Sequence, residues 1–165
     1  TISLGYLEKV LCLLLREGVP IRDMETILET LGDHAGALKD IDIVTEYVRQ
    51  ALKRTITRRF AEANSLRVIT VDPKVEDTIV ASVKKSEAGS YLAMDPDLIQ
   101  KIVNITSGEI DKVKDVIPNI IILTSPIVRI YFKKLIDQFI PNITVLSYSE
   151  IDNTAQIQAI GNIAM

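Results

Sequence analysis

One cysteine, one histidine and no tryptophan occur among the 165 residues of this chain, and aromatic side chains amount to only 5% of it. Each scarcity excludes something. A core with so few rings has to be aliphatic, built from Ile, Leu and Val. One Cys and one His do not make a Cys/His zinc site. A Ser–His or Cys–His nucleophile would have to be built around His34. That residue stands in Gly32-Asp33-His34-Ala35-Gly36, a helix exit, where a cation near the last carbonyls explains it. Cys12 lies in the apolar stretch Val10–Leu15 and reads as a small buried hydrophobe in a reducing compartment. The seven glycines are scattered, and none falls in the GxGxxG or GxxxxGK spacings that cradle phosphates. Apolar runs are short. Val10–Leu15 and Ile120–Leu123 fall far below the ~20 residues of a membrane span, and no signal peptide is visible. The net charge of −3 offers no general drive toward nucleic acid or anionic lipid.

What remains is ordinary globular material, 47% apolar and 25% charged, enough for one medium domain or two small ones with real cores. The chain opens on Thr1 rather than Met, so it is expected to be a water-soluble piece of something longer, which would hold any membrane anchor.

Residues 1–62 read as a helical subdomain. Ser3 is an N-cap for a helix carrying Leu4, Leu7, Leu11, Leu14 and Leu15 at helical spacing, with Gly18 as its stop. A second helix starts near Ile21 and carries Met24, Ile27, Leu28 and Leu31. After the polar connector 36–39, Asp40 or Asp42 caps a third, long helix reaching Phe60. Its Val44, Val48, Ala51 and Leu52 make one stripe; Glu46, Arg49, Gln50 and Lys53 lie on another face. Residues 63–165 read differently. Strand candidates Leu66–Val71, Tyr91–Met94 and Ile120–Leu123 end at Asp72-Pro73, Asp95-Pro96 and Ser125-Pro126. An apolar helical pattern follows each, the first of them carrying Val75, Ile79, Val80 and Val83. A fourth strand candidate is Thr144–Leu146. Asp or Ser accepts the free first-turn amides, and Pro fits where no N–H is needed. The class is therefore α+β / α/β: a helical subdomain followed by a small α/β subdomain with a mostly parallel or mixed sheet. The tail from Asp152 alternates weakly through Ile157, Ile160 and Ile163, and is either an extended edge segment or mobile.

The sharpest catalytic reading uses those caps. Ligands of open α/β sheets bind at the carboxyl ends of strands, where Asp72 and Asp95 fall. Two carboxylates there could hold Mg²⁺ for nucleotide binding or phosphoryl transfer. Capping explains the whole Asp-Pro dipeptide, however, whereas a metal explains only the acid. The preferred expectation is no enzyme, no cofactor and no metal, with function carried by surfaces. Arg58-Arg59, with Lys53 and Arg54, form a basic turn that suits either the helix dipole or an acidic partner. Arg129 sits in the first turn of its helix, where a cation is unfavourable. It is either exposed or paired with an acid across a subdomain or subunit boundary. Tyr131-Phe132-Lys133-Lys134 looks superficially like nucleic-acid chemistry, but Tyr131 and Leu135 share the buried stripe.

Several stretches together resemble one family. They are Leu15-Arg16-Glu17-Gly18-Val19-Pro20-Ile21-Arg22-Asp23, Thr26-Ile27-Leu28-Glu29, Lys39-Asp40 and Thr45-Glu46-Tyr47-Val48-Arg49-Gln50-Ala51-Leu52-Lys53-Arg54. Later come Leu123-Thr124-Ser125-Pro126, Arg129 and Val145-Leu146-Ser147-Tyr148-Ser149-Glu150-Ile151. In consistent order these resemble the C-terminal cytosolic part of the large export-gate subunit of type III secretion, the FlhA/InvA family. Ser125-Pro126 and Tyr131-Phe132-Lys133-Lys134 look more flagellar than injectisome-like. The resemblance implies that residues 1–62 and 63–165 are the third and fourth cytosolic subdomains. It implies a ninefold ring of copies at the cytoplasmic face of the bacterial inner membrane, reaching the membrane only through a missing N-terminal part. Export chaperone–substrate complexes and other export-apparatus proteins would be its partners, docking mainly on subdomains absent here. No catalytic residue or cofactor comes with it. In this setting Glu46, Arg49, Gln50, Lys53, Arg54 and Arg129 become the candidate subunit or partner contacts, because charged pairs set orientation at wet interfaces.

Overall fold

The computed structural model describes residues 2–37 and 39–165; Thr1, and Leu38 within the 36–39 connector, lie outside the described residues. The chain forms two compact units, Thr1–Asn64 with Ser149–Ala155, and Ser65–Tyr148 with Gln156–Met165.

Unit 1 holds α1 (Leu4–Arg16), α2 (Met24–His34), α3 (Ile41–Ala51) and α4 (Lys53–Phe60). Ser3 caps α1 by accepting from the Tyr6 amide at 3.1 Å. The helix stops at Gly18, whose φ of +75° suits a residue without Cβ. The Gly18 and Val19 amides close back onto the Leu15 and Leu14 carbonyls. The second helix begins later than Ile21 because Asp23 is its cap, accepting from the Thr26 amide at 3.1 Å and the Thr26 hydroxyl at 2.6 Å. That hydroxyl, then the amide, hold the Asp23 carboxyl below its ordinary value. Asp40 caps α3 through the Asp42 amide at 3.0 Å. The expected long third helix is two helices. Leu52 (φ −91°, ψ 21°) ends α3 and starts α4, its N–H shared between the Val48 and Arg49 carbonyls. Neither Gly nor Pro marks this break, so the periodicity reads straight through it.

The core of unit 1 is aliphatic as expected: Val10, Leu14, Ile27, Leu31, Val44, Val48 and Ile56 are wholly buried, each contributing about 1.5–3 kcal/mol. Cys12, by contrast, is exposed. Val10 and Leu14 define the inner face of α1, and a residue two positions on from Val10 points about 200° round the helix.

Unit 2 holds β1 (Ser65–Val71), α5 (Pro73–Ala81), β2 (Val83–Ser86), β3 (Gly89–Leu92), α6 (Pro96–Val113), β4 (Ile121–Thr124), α7 (Pro126–Asp137), β5 (Thr144–Ser147) and β6 (Gln156–Ile163). Its main sheet runs β5-β4-β1-β6, and every neighbouring pair is parallel. β4 is buried along its whole length, as befits a central strand of a parallel sheet. The class is the expected one, helices first and a parallel α/β unit after. The Tyr91–Met94 candidate does not join that sheet. It overlaps β3 of a separate antiparallel hairpin whose other strand, β2, takes Val83 from the expected helix. The tail becomes β6, an edge strand parallel to β1. Between Val68 and Ile69 its register slips, Ala159 facing Val68 and Gly161 facing Ile69, so Ile160 is an extra residue. A Cβ on Gly161 would stand 3.3 Å from Glu109 Oε1. That same oxygen accepts from the Asn162 amide at 3.0 Å, and a side chain placed over an edge amide protects the edge.

Of the three repeated caps, two act as expected. Asp72 accepts from the Lys74 amide at 3.1 Å and Asp95 from the Asp97 amide at 2.9 Å. Ser125 makes no side-chain cap. Its own amide donates instead to Glu76 Oε2 at 2.7 Å, so a carboxylate on α5 serves the start of α7.

Candidate interaction site

The charged face expected on α3 is divided by the fold. Arg49 turns inward and forks onto Glu150, with Nε to Oε2 at 3.0 Å and Nη2 to Oε1 at 2.9 Å. Its Nη1 lies 3.8 Å from Glu17 Oε1. The Arg49 and Glu150 side chains are only 2% and 1% exposed. Two parallel charge-assisted bonds join the guanidinium fork to the carboxylate, while the third nitrogen, Nη1, is buried without a hydrogen bond among the described residues; breaking such a buried pair from one side is costly. Glu150 reaches Arg49 because residues 149–155 form a strap on unit 1. Ile151 is buried there, the Asp152 amide donates to Thr57 Oγ1 at 2.8 Å, and Asn64 Nδ2 donates to the Thr154 carbonyl at 2.7 Å. Glu46 is also buried. Gln50 is half-buried, and only Lys53 and Arg54 of the expected contact set on this face are exposed. An outward face of Glu46, Arg49, Gln50 and Lys53 is thus corrected: its central cation serves the strap.

Arg129 is fully buried, which overturns the exposed alternative. Its Nη1 donates to the Val145 carbonyl of β5 at 3.0 Å, and such bonds offset the poor placement of a cation in a helix's first turn. Asp72 and Asp95 are engaged in the capping bonds described above. Among the described residues no group of three or more His, Cys, Asp or Glu side chains could hold a metal ion, and nothing favours the magnesium alternative. His34, in the last turn of α2, stacks on Tyr47 at 4.5 Å between centroids with planes 7° apart.

The outer surface of unit 1 carries a feature that periodicity did not reveal. Between α4 and the strap lies an open cleft of about 310 Å³, lined by Arg54, Thr57, Arg58, Asn64, Asp152 and Thr154. The run Lys53-Arg54-Thr55-Ile56-Thr57-Arg58-Arg59 was its one sequence signal, since α4 carries four cations and no acid. Arg59 rests over the Phe60 ring at 5.1 Å. Arg54 and Arg58 have no ion pair among the described residues.

A helical unit and a parallel α/β unit, joined in one chain, are an architecture shared with cytosolic domains of type III secretion. The nonameric EscV cytosolic domain from the type III secretion system is similar over 94% of this chain and 46% of that one, at 31% identity and a TM-score of 0.77. CdsV from Chlamydia pneumoniae, solved in complex with CdsO, is similar over 99% of this chain and 48% of that one, at 35% identity and a TM-score of 0.86. The chain belongs to the FHIPEP family, whose model matches residues 1–156. The flagellar biosynthesis protein FlhA of Bacillus subtilis is 40% identical over 97% of the chain, which spans 24% of that relative's length. No helix among the described residues is long and apolar enough to cross a membrane.

Proposed function

We propose that this chain is the C-terminal cytosolic portion of a flagellar type III export-gate subunit, acting through its surfaces and not by catalysis. Residues 1–62 and 63–165, apart from the strap 149–155 that belongs with unit 1, serve as the third and fourth cytosolic subdomains at the cytoplasmic face of the bacterial inner membrane. Copies assemble into a ninefold ring, and export chaperone–substrate complexes and other export-apparatus proteins dock on it. The family match over residues 1–156 carries this reading, with the 40% identity to a flagellar relative favouring the flagellar branch. The nonameric EscV domain and the CdsV–CdsO complex support the ring and the apparatus partner by analogy. Burial narrows which candidate contacts can reach a neighbour: Lys53 and Arg54 are exposed and Gln50 half-buried, whereas Glu46, Arg49 and Arg129 act from inside the fold.

The test is a graft. This chain replaces the matching C-terminal part of Bacillus subtilis FlhA, and swimming and flagellin export are scored against a truncation. Restored export is the expected result. A chimaera that accumulates normally yet exports no more than the truncation would overturn the reading. Lys53→Glu in that chimaera should reduce cross-linked ring species while leaving its accumulation unchanged.

A further inference from the structure

Two of the five cations on α3 and α4 stand apart from the rest. Arg49 is consumed by Glu150, Arg59 lies over Phe60, and Lys53 is outside the cleft. Arg54 and Arg58 are exposed, line the same cleft, and have no ion pair among the described residues. Being four residues apart on one helix, their side chains leave the backbone on one face about 6 Å apart. Guanidinium groups are planar forks matched to carboxylates.

We infer that the cleft between α4 and the strap is a binding site for an acidic segment of a protein partner, with Arg54 and Arg58 each taking one carboxylate. This does not depend on the export reading. An extended chain repeats side chains of one face about every 6–7 Å, so the matching pattern is two acids separated by one residue. A helix face with acids at i and i+4 would match as well, but the trough is open and lies between a helix and an irregular strap, which favours a thin extended chain. Asp152 supplies the selectivity. It lines the same cleft, its carboxylate accepting from the Thr154 hydroxyl at 3.2 Å, and a like charge there rejects an uninterrupted acidic run. Two arginines beside an aspartate make a poor track for a nucleic-acid backbone, and the chain's net charge is −3.

Fluorescence anisotropy with the whole chain tests this. The probe is a labelled ten-residue peptide with a central Glu-Ser-Glu in a neutral background. Its Gln-Ser-Gln counterpart, a six-glutamate peptide and a labelled single-stranded oligonucleotide are the comparisons. The Glu-Ser-Glu peptide should bind at low salt, at least tenfold more tightly than the other three. Arg54→Gln with Arg58→Gln should weaken it at least tenfold. Lys84→Gln with Lys85→Gln, on the β2–β3 hairpin, should leave it within twofold. Asp152→Asn should tighten the six-glutamate peptide severalfold, a gain that a misfolded variant would not give. Equal loss in the two double variants, no gain in Asp152→Asn, or tighter binding of the oligonucleotide would overturn the inference.

Discussion

Replacing Arg49 by Met tests whether the strap is held by a charge or by packing. Met keeps a long apolar stem but removes both forked bonds to Glu150, whose side chain is 1% exposed. Glu150 then stays buried without the forked bonds of Arg49, whereas Glu17, 17% exposed on its side chain, can turn to water. Breaking a buried pair from one side costs about 3–5 kcal/mol, which lowers the melting temperature by about 10 °C in a chain of this size. Changing Glu150 to Met as well removes the buried carboxylate. Such double replacements are often neutral or stabilising, so Arg49→Met/Glu150→Met should recover most of the loss. Urea unfolding followed by far-ultraviolet circular dichroism gives the energies. Amide exchange at Asp152, whose N–H rests on Thr57, shows whether the strap has let go. The reasoning fails if Arg49→Met costs less than about 1 kcal/mol, or if the double variant is no more stable than the single one.

Other outcomes follow from single contacts. Arg129→Leu leaves the Val145 carbonyl without its donor in a buried site and should cost about 2–4 kcal/mol in urea unfolding, with Arg129→Lys recovering only part of it because an ammonium lacks the planar fork. Cys12 is exposed on α1 and should react with a thiol reagent in the native protein at the rate seen in urea; protection until unfolding would contradict its placement. Lys112, then the Asn162 amide, hold the Glu109 carboxyl below its ordinary value. Its folded-state titration therefore lies below the unfolded one, so the contact stabilises the β6 edge above the ordinary carboxylate range and is lost as pH falls through the lowered value. The Asn162 amide proton should shift in nuclear magnetic resonance over that acidic range, and Glu109→Gln should abolish the shift.

Much of the fold was legible because its punctuation is local. Ser3, Asp40, Asp72 and Asp95 each accept an amide two or three residues on, a relation visible in any short window. Ser125 looked the same and is not, since the group that serves it, Glu76, lies 49 positions earlier. Arg49 was assigned outward for the same kind of reason. Helical periodicity sorts residues by their own helix, but its partner arrives 101 positions later. The β2–β3 hairpin went unread because Lys84-Lys85-Ser86 has no apolar alternation to reveal it. The cleft escaped because one of its walls, Asp152 and Thr154, comes from the strap, which no reading of α4 alone can supply.

The strap also sets an order in time. Unit 1 is built from Thr1–Asn64 and closed by Ser149–Ala155, and a ribosome moving at about 5–20 residues per second needs on the order of ten seconds to make the stretch between them. For that interval Arg49 has no Glu150 to meet, and the site it will occupy stays open to water. The part of the chain made first is therefore the part sealed late, after almost all of the sheet strands that follow it have been synthesised.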